Sequence, residues 1–335
     1  MDTKRIISSK RDSTIKGLLF RYGWEWMLIV ILIVVNIMNS NISPYYWDGA
    51  GLIDATMTYL DKAFIVLPMA FIIVTGYIDI SVASTVALSS VVMAVSFNAG
   101  VTMPFAMVLC LLVGSLCGAF NGLLLTRFKE LASMIVTLAT QIIFRGIALI
   151  ILGDQASGKF PKWFSFLGWG YIGPVPFILI CFVVFAAIFT FVLSHTDYGR
   201  RLYAIGSNVT ASRFSGINVD RAVFLNFTLA GLMAAVTGLF LTSRMGSTRP
   251  NVALSYEMDI IAMVVLGGVS TAGGKGRMVG VLIAILIVSL IRYGLGLINI
   301  NSQVLMIIIG ALLIIAVGLP ELQSILRGNR RVKQS

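Results

Sequence analysis

Apolar residues run nearly unbroken along most of this chain, and short polar or glycine-rich interruptions divide the runs. Many runs approach the ~20 residues that a helix rising about 1.5 Å per residue needs to cross a bilayer core of roughly 30 Å. The breakers mark ten expected spans, near residues 24–39, 61–77, 82–98, 103–125, 132–152, 172–194, 222–243, 257–269, 277–296 and 303–319. Two places depart from a simple crossing. The run at 257–269 is too short to cross alone, and only the polar interruption Asp79 to Ser84 separates the second run from the third. The pattern predicts an all-α polytopic membrane protein of about ten helices with broken or re-entrant segments, because lipid leaves no partner for unpaired backbone groups.

Composition agrees. The 335 residues are 58% hydrophobic and 12% charged, with mean hydropathy +0.95, far from the mixture of a soluble domain. Before the first run stand Lys4, Arg5, Lys10, Arg11, Lys16 and Arg21, and no small-residue cleavage site follows Met38, so a retained anchor with a cytoplasmic N-terminus is expected. Alternation from that start places eighteen basic residues inside against five outside, the latter Lys62, Lys159, Lys162, Arg244 and Arg249. That is the positive-inside asymmetry, so the net charge of +11 reports topology and not nucleic-acid binding. The expected organisation is a basic segment 1–23, a transmembrane domain 24–319 with an inside loop at 195–221, and a basic tail 320–335, both termini cytoplasmic. Outside loops 41–60, with Tyr45, Tyr46 and Trp47, and 153–171, with Trp163, Trp169 and Tyr171, carry the aromatics of a membrane interface. Cys110, Cys117 and Cys181 lie in apolar runs and His195 is the single histidine. These give no metal site, and no cofactor is expected.

The inside loop 195–221 has 27 residues, more than a connector needs. Ser207 or Asn208 can cap a short helix running to about Ser215, and Gly216 can end it in the left-handed conformation. Either the helix docks something or the loop is a basic surface held by lipid head groups. Residues Thr75 to Ser81 place glycine, hydroxyls and the carboxylate of Asp79 between two runs; Asp79 is either a cap for the next helix or a gate facing water. The glycine-rich stretch Gly267 to Arg277 lacks the phosphate-loop spacing, and Gly276 stands where the metal-binding hydroxyl would be. A glycine-packed turn is expected there. Glu257 and Asp259 begin the short run and suit the positive end of its helix dipole. Arg145 and Arg292 lie near span ends, where arginine can snorkel to the interface. Small residues recur at helical spacing in Gly114, Ser115, Gly118, Ala119 and Gly122, and in Ala230, Gly231, Ala234, Ala235 and Gly238. They read as packing seams.

Three stretches, Thr75-Gly-Tyr-Ile-Asp-Ile-Ser-Val-Ala-Ser84, Tyr198 to Ile217 and Ala262 to Arg277, resemble in order the ribose-type permeases of ABC importers, within the branched-chain amino acid and monosaccharide permease superfamily. The sequence departs from that pattern at Tyr77, at Ala83 and around Leu131 to Ser133. The resemblance implies a bacterial inner-membrane permease without its own ATPase, working with cytoplasmic ABC ATPases, a second permease chain (identical or paralogous) and an external sugar-binding protein. It implies a coupling helix with Gly206, Asn208, Ala211, Arg213, Phe214, Ser215 and Gly216 toward the ATPase. Asp79, Ser81, Asn121, Thr137, Thr140, Gln141 and Phe144 are expected along the pathway or its gate, and Arg249 and Glu257 at the binding protein. The stretch Ile151 to Ala156 with the loop after it looks closest to permeases for rhamnose-like sugars, with ribose and autoinducer-2 permeases next. Two other classes compete: an ion-coupled secondary transporter, for which only Asp79 is a candidate coupling carboxylate, and a membrane enzyme, which these scattered carboxylates do not suit.

Overall fold

The computed structural model describes residues 22–300 together with 304, 307, 308, 310 and 311. Most of the expected basic segment, most of the expected span 303–319 and the tail 320–335 lie outside the described residues. Apart from single turns at Lys162–Ser165 and Phe166–Trp169, the helices in chain order are α1 (Gly23–Ile42), α2 (Gly49–Val74), α3 (Val82–Asn98), α4 (Met103–Arg127), α5 (Ser133–Leu152), α6 (Phe177–His195), α7 (Asp197–Ser207), α8 (Val209–Phe214), α9 (Val219–Met245), α10 (Tyr256–Leu266) and α11 (Met278–Leu297). Among the described residues seven are long and apolar enough to cross a membrane: α1, α2, α4, α5, α6, α9 and α11. The shorter α3 and α10 pack inside the bundle, as the short runs required. The protein is an all-α, multi-pass membrane protein.

Two expected loops are shorter than the sequence pattern suggested. Residues 49–60 are the first turns of α2, not part of an outside loop. The Asp48 carboxylate accepts from the Gly51 amide at 3.1 Å and starts the helix, and Met57 and Leu60 are buried against its neighbours. The segment after α5 is also structured: Ser157–Gly158 pairs antiparallel with Ser247–Thr248, and Tyr171–Ile172 pairs with Val175–Pro176. That hairpin delays α6 to Phe177.

Helix α2 is the axis of the bundle, buried continuously from Ala63 to Val74. Its Phe64 stacks on Phe240 of α9 at 5.0 Å and meets Phe182 of α6 edge-on at 5.8 Å. Helices α4 and α9 meet along the expected glycine seam. A Cβ on Gly114 would strike the Gly231 carbonyl and Ala235, and one on Gly118 would overlap the Phe227 carbonyl. Lipid tails are as apolar as leucine, so close backbone approach of this kind, more than hydrophobic exclusion, holds such helices together. Gly238 belongs to a different contact, against Val86 of α3.

Candidate functional site

The three stretches that carry the resemblance meet at one end of the bundle. The Gly274 amide donates to the Val74 carbonyl at 2.8 Å, which joins the glycine-rich turn after α10 to the last turn of α2. Gly206, near the end of α7, lies against both: a Cβ there would overlap the Val74 carbonyl and the Gly274 nitrogen. The Tyr203 hydroxyl adds a hydrogen bond to the Gly276 carbonyl at 2.8 Å. Gly206 is therefore half-buried and part of a joint.

The expected short helix is α8. Asn208 caps it, its Oδ1 accepting from the Ala211 amide at 2.9 Å, and Gly216 leaves it with φ of 79°. Ala211, Arg213, Ser215 and Gly216 are exposed around Phe214, whose relative exposure is 89%. Asp220 steadies the unit, bonding Arg213 at 2.6 Å and Lys129, from the loop after α4, at 2.8 Å. Sequence reasoning missed α7, which precedes it. Thr196 caps α7 through the Gly199 amide, a signal that was present but sits beside a glycine and two arginines.

Beyond the joint lies the α2–α3 break. Asp79 is buried, and its Oδ1 accepts from the Ser81 amide at 2.9 Å and the Ser81 hydroxyl at 2.7 Å. The Asn121 amide donates to that same hydroxyl oxygen at 2.7 Å, so α4 is tied to the break. On the other side the Ser133 hydroxyl accepts from the Ile78 amide at 3.1 Å, and Thr137 of α5 is buried one turn along. Thr140 bonds the Thr137 carbonyl of its own helix, and Phe144 packs near Phe120. The geometry thus gathers Asp79, Ser81, Asn121 and Thr137, and leaves Gln141 apart.

Gln141 belongs to a second polar station, at the start of α10. This 11-residue helix is only about 16 Å long. Its far end runs into the glycine-rich turn, so its first turn lies inside the bundle. Partners of that first turn, Gln141, Lys62 and Arg292, lie about 12, 18 and 21 Å along their own helices from the same bundle end, near the middle of a roughly 30 Å core. There the Gln141 amide donates to Glu257 Oε1 at 3.2 Å. Glu257 is 7% exposed, and its Oε2 has no hydrogen-bond partner among the described residues. Such burial does not match the expected rim position for Glu257, whereas Arg249 is exposed.

Asp259, on the same turn, receives Lys62 at 2.8 Å and Arg292 at 2.6 and 2.7 Å. Beside it, Asp61 receives Arg244 at 2.8 Å, and Lys62 lies over the Tyr256 ring at 4.4 Å. Lys62 and Arg244 were expected in outside loops; they are helical residues buried or nearly so, because α2 begins earlier than its apolar run and α9 ends later. Neither do Arg145 and Arg292 snorkel. Arg145 donates to the carbonyls of Pro250 and Val252, at 2.5 and 2.8 Å, and anchors the loop that leads into α10.

Residues 52–317 match the family described as the branched-chain amino acid transport system permease component. The chain is 36% identical over 326 residues to the ribose import permease protein RbsC of Bacillus subtilis (strain 168), covering 97% of this chain and 100% of that one. It is 35% identical over 305 residues to the autoinducer 2 import system permease protein LsrD of Escherichia coli (strain K12), covering 89% and 92% respectively. No solved structure matches the chain. On this near full-length correspondence, the chain belongs to the branched-chain amino acid transport system permease component family.

Proposed function

We propose that this chain is the membrane-spanning permease subunit of an ATP-driven ABC importer for a monosaccharide, with a rhamnose-like sugar as favoured cargo and ribose or autoinducer-2 next. It pairs with a second permease chain, takes sugar from an external binding protein and is driven by cytoplasmic ABC ATPases docked on α8. The N-terminus and the basic end of the bundle face the cytoplasm, as the positive-inside asymmetry expects.

The observation that carries this reading is the joint at Gly206. Helix α8 offers an exposed aromatic, Phe214, on a capped turn, and α7 connects it through Gly206 to the end of α2 and to the glycine-rich turn that leads from α10 to α11. A force applied to α8 is delivered to the α2–α3 break and to the half-helix α10 together. Transport by alternating access needs an element of this kind, with arrangements favoured differently by each nucleotide state.

The test is sugar uptake by cells co-expressing the permease with its ATPase and binding protein. Wild-type uptake should require ATP, and the Phe214→Ala, Ser215→Arg variant should remain in the membrane yet lose its ATPase. Uptake that persists without any ATPase would overturn the ATP-driven reading and turn the case toward an ion-coupled secondary transporter.

A further inference from the structure

Within that reading, a specific place for substrate can be sought where a polar group is buried, unsatisfied and close to a surface that remains open. The α2–α3 break does not qualify: Asn121 Oδ1 has no partner among the described residues, but Asp79, Ser81, Asn121 and Thr137 are all enclosed within the bundle and none lies at an open surface. In the pair Asp61 and Arg244 and the triad around Asp259 the carboxylates are taken up by ion pairs, and what is left over is a guanidinium Nε on Arg244 and on Arg292, with no acceptor for a hydroxyl proton. The large groove of about 720 Å³ between α2, α6 and α11 includes the unpartnered hydroxyls of Thr190 and Ser289, but its lining is otherwise mostly apolar and holds no carboxylate or guanidinium.

The first turn of α10 is different on its α5 side. Glu257 is buried, and among the described residues only its Oε1 has a hydrogen-bond partner. Burying a carboxylate oxygen without a donor is costly. The dipole of α10 favours negative charge at this position, and Arg145 stands one turn beyond Gln141 on α5. Gln141 and Arg145 are half-buried, at the edge of a face of α5 on which Leu138, Ile142 and Ile143 are exposed. Half-helix ends at mid-membrane are also where transporters of other folds place their substrate sites.

We infer that Glu257, with Gln141 and Arg145, forms a mid-membrane recognition station for the hydroxyl groups of a neutral sugar. A substrate hydroxyl donates to Glu257 Oε2, while Gln141 holds Oε1 and keeps the carboxylate oriented. Arg145 keeps the loop before α10 in place through Pro250 and Val252 and supplies the compensating charge. Thr137, one turn below Gln141 on α5, marks the direction toward the break. Glu257 thus acts on the pathway and not on the external binding protein.

The inference rests on the sugar-importer reading, and its test separates the two. Proteoliposomes holding permease, ATPase and binding protein are assayed with ribose, rhamnose and their singly deoxygenated analogues, for wild type, Glu257→Gln and Gln141→Leu. Wild type should favour a parent sugar over one analogue, and Glu257→Gln should lower parent uptake and shrink that preference by about tenfold. Dividing the variant's preference by that of the wild type removes the contribution of the binding protein. ATPase association and ATP hydrolysis stimulated by the binding protein should stay at wild-type level. An unchanged preference overturns the station, as does loss of assembly in both variants, which would make Glu257 part of the scaffold. Wild-type vesicles that take up either sugar without ATP overturn the importer reading itself, and vesicles that take up neither remove ribose and rhamnose as cargo and with them the station as proposed.

Discussion

Asp259 and Glu257 enter the bundle two residues apart on the first turn of α10, and they are treated in opposite ways. Asp259 has both oxygens engaged, by Lys62 from α2 and Arg292 from α11. Glu257 has one oxygen held by an amide from α5 and the other bare. Both sit at the same helix end and feel the same dipole, so the difference comes from the neighbouring helices. A fully paired buried carboxylate fixes helices to one another and is released only by stranding two cations. One that is half paired retains an acceptor for something that arrives later. Position in the sequence marked both residues as helix-start acids, and only their partners divide them into clamp and receiver.

The sharpest way to break this comparison is Asp259→Asn. It leaves Lys62 and Arg292 buried without their counterion, a loss of about 3–5 kcal/mol for a buried pair deprived of one member. The variant should be largely absent from the folded membrane fraction, as seen by size-exclusion of the detergent-solubilised chain. Adding Lys62→Met removes one stranded cation and should restore part of the yield. Wild-type yield from Asp259→Asn alone would mean that the triad is not a clamp, and the contrast between the two acids would disappear.

A smaller effect is expected from Arg145→Met. The guanidinium donates to two carbonyls of the loop before α10, and hydrogen bonds from a charged donor contribute about 1.5–3 kcal/mol each. Part of that is recovered by the methionine packing among apolar neighbours, so a net loss of about 2 kcal/mol is expected. The loss should be local. Amide hydrogen exchange should accelerate in residues 251–256 and stay unchanged in α4 and α9, whose contact is the glycine seam. Uniform acceleration would show that Arg145 supports the whole bundle and does not specifically present Glu257.

Most of the helical framework was legible because it is written in local signals. Helices α1, α3, α4 and α5 begin and end within three residues of the apolar runs on which they were expected. Helix α8 was legible for the same reason, since Asn208 and Gly216 are a cap and a stop that act over a single turn. The start of α2 was obscured because the residues before Asp61 are only moderately apolar, and their burial depends on packing. The charged network was least legible. Lys62 and Asp259 are 197 residues apart, and in a linear pattern a lysine on a helix looks like a lysine at a loop edge. The adjacent Asp61 and Lys62, inside a segment that packing makes helical, were the one available hint. Among the polar residues picked out for a pathway, Asp79, Ser81 and Asn121 form a connected group, whereas Gln141 turned out to belong with Glu257, from a different run.

The smallest expected change in stability is also the most discriminating. In Glu257→Gln the amide oxygen can take the place of Oε1 and keep the bond from Gln141, while the amide nitrogen takes the place of an oxygen that had no partner. Further effects oppose each other: the favourable interactions of the charge with the α10 dipole and with the half-exposed Arg145 are lost, and so is the cost of keeping a carboxylate away from water. The net change should be below about 1 kcal/mol, so the purified variant should melt close to the wild type even though its handling of sugar hydroxyls changes. A variant that melts as early as Asp259→Asn would place both acids in the scaffold. One that melts like the wild type shows that the negative charge of Glu257 contributes no stability, as a carboxylate kept to receive a substrate hydroxyl requires.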